Sequence, residues 1–317
     1  MRIVMLEPLG IPEEQVMSLA KPLTELGHEF EICTSKITDE KELFERASGA
    51  EVLIIANSPL SGDVIRSAPK LRMISVAFTG VDHVDLNACR DKGIRVCNAQ
   101  GYATLAVAEL VFTLIFNALR NVIPCHERTK TNGTKDGLVG NELYGKTIGV
   151  IGTGAIGRRV AEIAKAFGCS VLGYSRHENE EAKSLGVQYV SLEKLLSESD
   201  IVSLHTPLTD ETRLMIDEKR IALMKRGAIL INTARGAVVD SNALARALNE
   251  GRLAGAGIDV FEMEPPIPPD HPLVNAKNVV LTPHVAFATK ESMLRRAEII
   301  FNNITAWLNG TPQNIKL

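Results

Sequence analysis

Arg235 stands between Ala234 and Gly236, directly after the apolar run 228–232, so nothing bulky competes for the space around its guanidinium. A guanidinium placed this way can hold a carboxylate bidentately, which suits a 2-oxo or 2-hydroxy acid. The plainer alternative is a structural ion pair. His284 follows the short run Val279–Leu281 and is locked behind Pro283. Imidazole exchanges a proton near neutral pH, as reduction of a ketone requires. His205 competes for that role because it also ends an apolar run, Ile201–Leu204. The other histidines (His28, His83, His126, His177 and His271) fall in loops or on helices and are expected at the surface. Glu262 and Glu264 share the loop Glu262-Met263-Glu264-Pro265-Pro266. Either one suits an imidazole, whose charged form a carboxylate favours. The residues alone leave that choice open, and a solvated acidic loop is the alternative for both.

The stretch 146–159, KTIGVIGTGAIGRR, carries a second chemistry. Thr147–Ile151 is a short β-branched run that predicts a buried strand. Gly152, Thr153, Gly154, Ala155, Ile156 and Gly157 follow it, and Val160, Ile163, Ala164 and Phe167 then show helical spacing. Strand, glycine turn and helix form the first half of a dinucleotide-binding unit. Gly152 permits the tight turn, Gly154 lets backbone approach a pyrophosphate, and Gly157 lets helix and strand pack closely. The phosphates would sit on free N–H groups at the helix start. A lone GxGxxG is weak evidence; a strand before it and a second strand at Ser170–Tyr174 supply the required context.

The elements that must position these residues alternate strictly. Strands are predicted at 2–6, 28–33, 52–56, 73–77 and 94–97, with helices at 12–26, 41–48, 62–67 and 86–92. After the glycine motif, strands at 188–190, 201–204, 228–232, 255–260 and 279–281 alternate with helices at 192–197, 218–224 and 241–249, and a long helix covers 291–309. This pattern predicts an α/β protein of two doubly wound parallel-sheet, Rossmann-like domains with a cleft between them. One is discontinuous, flavodoxin-like and substrate-binding (1–100 plus 287–317); the other, 101–286, binds the dinucleotide. In open α/β sheets ligands bind outside the carboxyl ends of the strands, where Arg235 and His284 fall. Residues 102–122 read as one long helix, apolar over most of its surface and so buried in a core or a subunit contact. Residues 129–141 are polar and glycine-rich and read as an exposed loop.

Composition narrows the class. The 317 residues allow about two domains. A net charge of −3 gives no reason to expect nucleic acid or an acidic membrane as partner. The five cysteines (Cys33, Cys89, Cys97, Cys125, Cys169) are scattered, with no CxxC pair, which suggests reduced thiols in a cytoplasmic protein and no structural metal site. MRIVMLEPLG lacks the features of a signal peptide. The most apolar segment, 105–119, is too short to span a bilayer and carries Glu109 and Asn117.

At this point the chain resembles the D-isomer-specific 2-hydroxyacid dehydrogenase family, closest to its glycerate dehydrogenase/hydroxypyruvate reductase branch. The resemblance rests on five motifs in order: LYGKTIGVIGTGAIG at 143–157, HTPL at 205–208, MKRGAILINTARGAVVD at 224–240, GAGIDVFEMEPP at 255–266 and LTPHVA at 281–286. It implies an oxidoreductase in which Arg235, Glu264 and His284 are catalytic, which settles the choices against Glu262 and His205. It also implies cofactor contacts from Thr104, Ala155, Ile156, Thr206, Pro207, Thr233 and Asp259, beside Gly152, Gly154 and Gly157. The backbone N–H groups of Phe78, Thr79, Gly80 and Val81 would receive the substrate carboxylate, with Asn57 nearby. Members of the family usually dimerise through the helix matching 102–122.

NAD-binding members carry an acidic residue after the second strand of the motif. Here that place reads Tyr174-Ser175-Arg176-His177. Ser175 and Arg176 suit a 2′-phosphate, so NAD(P) is the expected cofactor, with a lean toward NADP(H); Glu178 would restore NAD preference if the loop is shifted. 3-Phosphoglycerate members carry a basic residue after the third strand, whereas residues 56–60 here are Ala-Asn-Ser-Pro-Leu. Small acids such as hydroxypyruvate or glyoxylate are therefore expected, with 3-phosphoglycerate and lactate-type or branched acids as alternatives. A corepressor-type nucleotide-sensing protein with little turnover is the alternative from another class.

Overall fold

The computed structural model describes residues 1–35, 37 and 39–317. In chain order its elements begin with β1 (Arg2–Met5), α1 (Glu13–Glu25), β2 (Glu29–Ile32), α2 (Glu40–Ala47), β3 (Val52–Ile55), α3 (Gly62–Ser67), β4 (Met73–Val76), α4 (Leu86–Asp91) and β5 (Arg95–Asn98). Next come α5 (Thr104–Arg120), α6 (Val122–Lys130), β6 (Thr147–Ile151), α7 (Ala155–Ala166), β7 (Ser170–Tyr174), α8 (Glu180–Ser184), β8 (Gln188–Tyr189), α9 (Leu192–Glu198) and β9 (Ile201–Leu204). The chain finishes with α10 (Glu218–Leu223), β10 (Ile229–Asn232), α11 (Ser241–Asn249), β11 (Gly255–Ile258), β12 (Val279–Leu281) and α12 (Lys290–Leu308). It divides into two compact units, Met1–Ala103 with Ala288–Leu317, and Thr104–Phe287.

The first unit is built on a parallel sheet in the order β2-β1-β3-β4-β5. Every residue of β3 and β4 is buried, as expected for strands covered on both faces. α12 returns to this sheet. It starts with a capping box between Thr289 and Ser292, and its Ile300 carbonyl accepts a bond from the buried Ser75 hydroxyl at 3.1 Å.

The second unit carries a parallel sheet in the order β12-β11-β10-β9-β6-β7-β8. β6 lies between β7 and β9, so connections leave it in opposite directions and the crevice at its carboxyl end is where a doubly wound sheet binds nucleotides. Gly157 has no room for a Cβ, which would strike the Gly152 carbonyl, so α7 can lie close on β6 only with glycine there. Both units are α/β with doubly wound parallel sheets, the predicted fold class.

Two readings of the sequence need correction. The helix expected over 102–122 stops at Arg120, where Asn121 takes a left-handed conformation (φ 51°) and α6 leaves at 60° to α5. Asparagine tolerates that conformation, and its Nδ2 donates to the Leu138 carbonyl at 3.3 Å. α6 buries no residue, so it has no apolar stripe to announce it, and its last two residues fall in the segment read as loop. His271 is 7% exposed rather than at the surface, because its ring packs edge-on against Phe261 and its Nε2 bonds Glu262. Among the described residues no single helix is long and apolar enough to cross a membrane.

Candidate active site

At the carboxyl end of β6, Gly152 turns the chain with φ 94° and leaves no space for a side chain, since a Cβ would come within 2.6 Å of the His205 carbonyl. Gly154 is the N-cap of α7 and supplies no side-chain cap, so the first-turn N–H groups stay available. Nothing lies within 4 Å of where its Cβ would be. A cavity of about 450 Å³ opens here, bounded by Gly152–Gly154, Tyr174–Arg176 after β7, and 205–215 after β9. Of the expected cofactor residues, Gly152, Gly154, Ser175, Arg176, Thr206 and Pro207 line it. Ala155 and Ile156 open α7 beside it, Thr104 opens α5, and Thr233 follows β10.

The hydroxyls of Thr206 and Thr233 are buried without a hydrogen-bond partner. Buried polar atoms are rarely left so, and together with the open N–H groups of α7 they fit a dinucleotide. Arg176 pairs with Glu211 at 3.5 Å, both exposed, while Glu178 is held by Lys183 at 2.7 Å. Sequence reasoning missed Glu211 and Arg220 as walls of this cavity. Arg220 donates to the Met215 carbonyl at 2.8 Å, a bond that no local pattern announces.

His205 bonds the Ser203 hydroxyl through Nε2 at 2.9 Å. The residue is half-buried, and loss of hydration pushes its pKa down to about 3. It stays neutral at physiological pH and is unsuited to hold a transferable proton.

His284 differs. Its Nδ1 lies 2.8 Å from Glu264 Oε2, and its ring meets Phe287 edge-on. Its backbone is left-handed (φ 55°), an uncommon state for a residue with a side chain. Asp259, fully buried, explains how it is held. The Asp259 carbonyl accepts the His284 N–H at 2.8 Å, and its carboxylate accepts from the Thr282 hydroxyl at 2.5 Å, Val285 N–H at 2.9 Å and Ala286 N–H at 3.0 Å. Asp259 was expected as a cofactor contact; its carboxylate is engaged with the turn that carries His284.

Arg235 follows β10 with an exposed guanidinium, one nitrogen of which donates to the Ala234 carbonyl at 2.7 Å. Gly236 lies against the backbone of Phe261, so the Arg235 turn and the loop leading to Glu264 are in direct contact. Glu262, the other candidate carboxylate, meets His271 at 3.1 Å instead.

In the first unit, Asn57 and Thr79 are exposed on loops after β3 and β4, with Phe78, Gly80 and Val81 partly covered. Buried Glu7 holds the first loop, accepting from Ala56 N–H, Ser58 N–H and the Ser58 hydroxyl. Buried Arg296 lies over the Phe78 ring at 4.8 Å. Neither charge was singled out in the sequence. The signal available was a glutamate just beyond β1 and an arginine in register with Ala297, Ile300 and Ile304 on the buried face of α12.

Comparison with known proteins agrees with this geometry. The profile described as D-isomer specific 2-hydroxyacid dehydrogenase, NAD binding domain, matches residues 112–286. The chain is 43% identical over 284 residues to a glyoxylate reductase of Korarchaeum cryptofilum, covering 87% of this chain and 85% of the relative. It is 36% identical over 305 residues to a hydroxypyruvate reductase of Blautia hydrogenotrophica, covering 93% and 94%. A solved acyclic imino acid reductase, Bsp5, in complex with NADPH and D-Arg, superposes with a TM-score of 0.88 at 32% identity, each chain covered in full. The chain therefore belongs to the D-isomer-specific 2-hydroxyacid dehydrogenase family, as an NAD(P)-linked oxidoreductase acting on the CH–OH group of small 2-hydroxy acids and their 2-oxo partners.

Proposed function

We propose that this enzyme reduces glyoxylate, hydroxypyruvate or a similarly small 2-oxo acid, with His284 as proton donor, Glu264 as its charged partner and Arg235 as the anchor of the substrate. The observation that carries the reading is the 2.8 Å bond between Glu264 and His284 Nδ1, on a turn clamped by buried Asp259. With Nδ1 engaged by Glu264, Nε2 is the nitrogen left to protonate the substrate oxygen. The Arg235 guanidinium binds the carboxylate and polarises the carbonyl, where negative charge develops in the transition state. When bound, the reduced nicotinamide supplies the hydride. Gly152, Gly154, Ala155, Ile156, Gly157, Thr104, Thr206, Pro207 and Thr233 hold that cofactor.

The first unit serves as the substrate-binding domain, its N–H groups at 78–81 receiving the carboxylate beside Asn57. The absence of any basic residue at 56–60 supports a substrate without a phosphate tail. Ser175 and Arg176 support NADP(H): a 2′-phosphate can replace Glu211 as the partner of Arg176, while Glu178 is already taken by Lys183. The protein acts in the cytoplasm as a homodimer. Exposed Leu105, Val122, Ile123, Val139, Tyr144 and Phe167 on and around α5 and α6 support that assembly, and sedimentation at twice the mass of one chain checks it.

The deciding experiment is turnover on a panel of 2-oxo acids (glyoxylate, hydroxypyruvate, pyruvate, a branched acid and 3-phosphohydroxypyruvate) with NADPH and with NADH. The highest kcat/KM is expected for the first two with NADPH. Preference for the phosphorylated acid or for NADH overturns the corresponding half, and no turnover with any acid favours a nucleotide-sensing role.

A further inference from the structure

Glu264 is an exposed side chain, 78% accessible, that has to meet one nitrogen of one ring. Exposed ion pairs contribute little by themselves and do not hold a geometry, so the alignment has to come from the backbone beneath Glu264. Two residues earlier, Glu262 supplies a candidate anchor. Its carboxylate accepts a hydrogen bond from His271 Nε2 at 3.1 Å, and the nearby Ser241 side chain also favours its charged form. Ser241 is 6% exposed and is the first residue of α11, six positions beyond Arg235. His271 is equally buried, its ring edge-on to Phe261 at 5.4 Å.

The imidazole tautomer is set by its neighbours. His271 Nδ1 accepts the Leu273 N–H at 3.3 Å, so Nε2 carries the hydrogen and donates it to Glu262. Against the opposing effect of burial, the Ser241 and His271 side chains hold the Glu262 carboxyl below the usual carboxylate range, so it is charged at neutral pH. Gly236, with no Cβ, lies against the Phe261 backbone. Glu262 is thus tied to the segment that follows Arg235, to the segment that returns toward β12, and by the chain itself to Glu264.

We propose that Glu262, with His271 and Ser241, is a positioning residue that fixes the Glu264 loop in one arrangement and so aligns the Glu264–His284 pair. The proposal rests on the catalytic reading of that pair. Glu262 touches neither substrate nor cofactor; it acts through Glu264. This explains why a loop with two acidic residues needs both.

The test measures Glu262→Ala, Glu262→Gln, Ser241→Ala and Glu264→Gln singly, and Glu262→Ala with Glu264→Gln together. The readouts are kcat and KM for glyoxylate and hydroxypyruvate with NADPH, and NADPH binding by fluorescence as a check on folding. Glu262→Ala is expected to lower kcat about tenfold through misalignment, with NADPH affinity unchanged. KM for the 2-oxo acid should change little, the same split that Glu264→Gln shows. The double variant should be no slower than Glu264→Gln alone. Glu262→Gln still accepts from His271, so it should recover most of the rate. Ser241→Ala, which deletes one hydroxyl, makes the same test with less loss of packing should Glu262→Ala not bind NADPH. Loss of thermal stability alone, with kcat unmoved, overturns the proposal, as does a double variant in which the two losses multiply. If Glu264→Gln itself leaves kcat in place, the catalytic reading of the pair fails first and this proposal falls with it.

Discussion

His284 illustrates how much one residue depends on groups that never touch a substrate. A left-handed backbone at a histidine is unfavourable, and it persists because Asp259 accepts from three consecutive positions around it, 284–286. His284→Gln keeps the size and loses the proton, so kcat is expected to fall by about 10²- to 10⁴-fold with cofactor affinity unchanged; turnover at the normal rate would remove His284 from the chemistry. Arg235 and His284 stood out in the sequence because each ends an apolar run, and strand ends are where this fold presents its groups. The residues alone left the partnering of the two glutamates open, and only the family resemblance pointed to Glu264 for His284; that Glu262 meets His271 was not legible. Glu262 and Glu264 share one loop, and the positions of His271 and His284 in space distribute them, at 3.1 and 2.8 Å.

At the scale of elements, close approach of backbones decides more than side-chain chemistry. Gly157 brings α7 against β6, and Gly236 brings the Arg235 turn against Phe261. Gly236→Ala forces a methyl group into the Phe261 backbone, and overpacking of this kind costs about 1–3 kcal/mol. Urea denaturation should show that loss, with turnover reduced beyond it because both Arg235 and the 261–264 loop shift; unchanged stability would mean that the contact is slack. The strands were readable because each is a short apolar run between turn residues. α6 was not, because a helix that buries nothing leaves no periodic apolar face. The break before it rests on one asparagine, and Asn121 in sequence looks like any polar residue within a helix.

For the whole molecule, pH is a sensitive probe, because buried imidazoles resist protonation. His205, held neutral with a pKa of about 3, binds fewer protons folded than unfolded throughout the range between there and the ordinary histidine value. Stability therefore rises with pH across that window and is lost as pH falls through it, by up to about 1.4 kcal/mol per unit for one such group. His83, lowered by burial, acts in the same direction. Denaturation of His205→Asn between pH 7 and pH 4.5 should show a shallower loss than the parent; an identical slope would mean that His205 does not carry the effect. Period and spacing along the chain were enough to determine the alternation of strands and helices, two parallel sheets, the phosphate turn and the strand ends that present Arg235 and His284, because these follow from local propensity and from where hydrophobic runs stop. Tertiary structure alone decided that Glu262 meets His271, that Asp259 serves the turn of His284, and that Glu7 and Arg296 lie buried beneath loops of the first unit. Those pairings join residues far apart in the chain, and hydrogen bonds and burial between distant segments leave no local pattern to read.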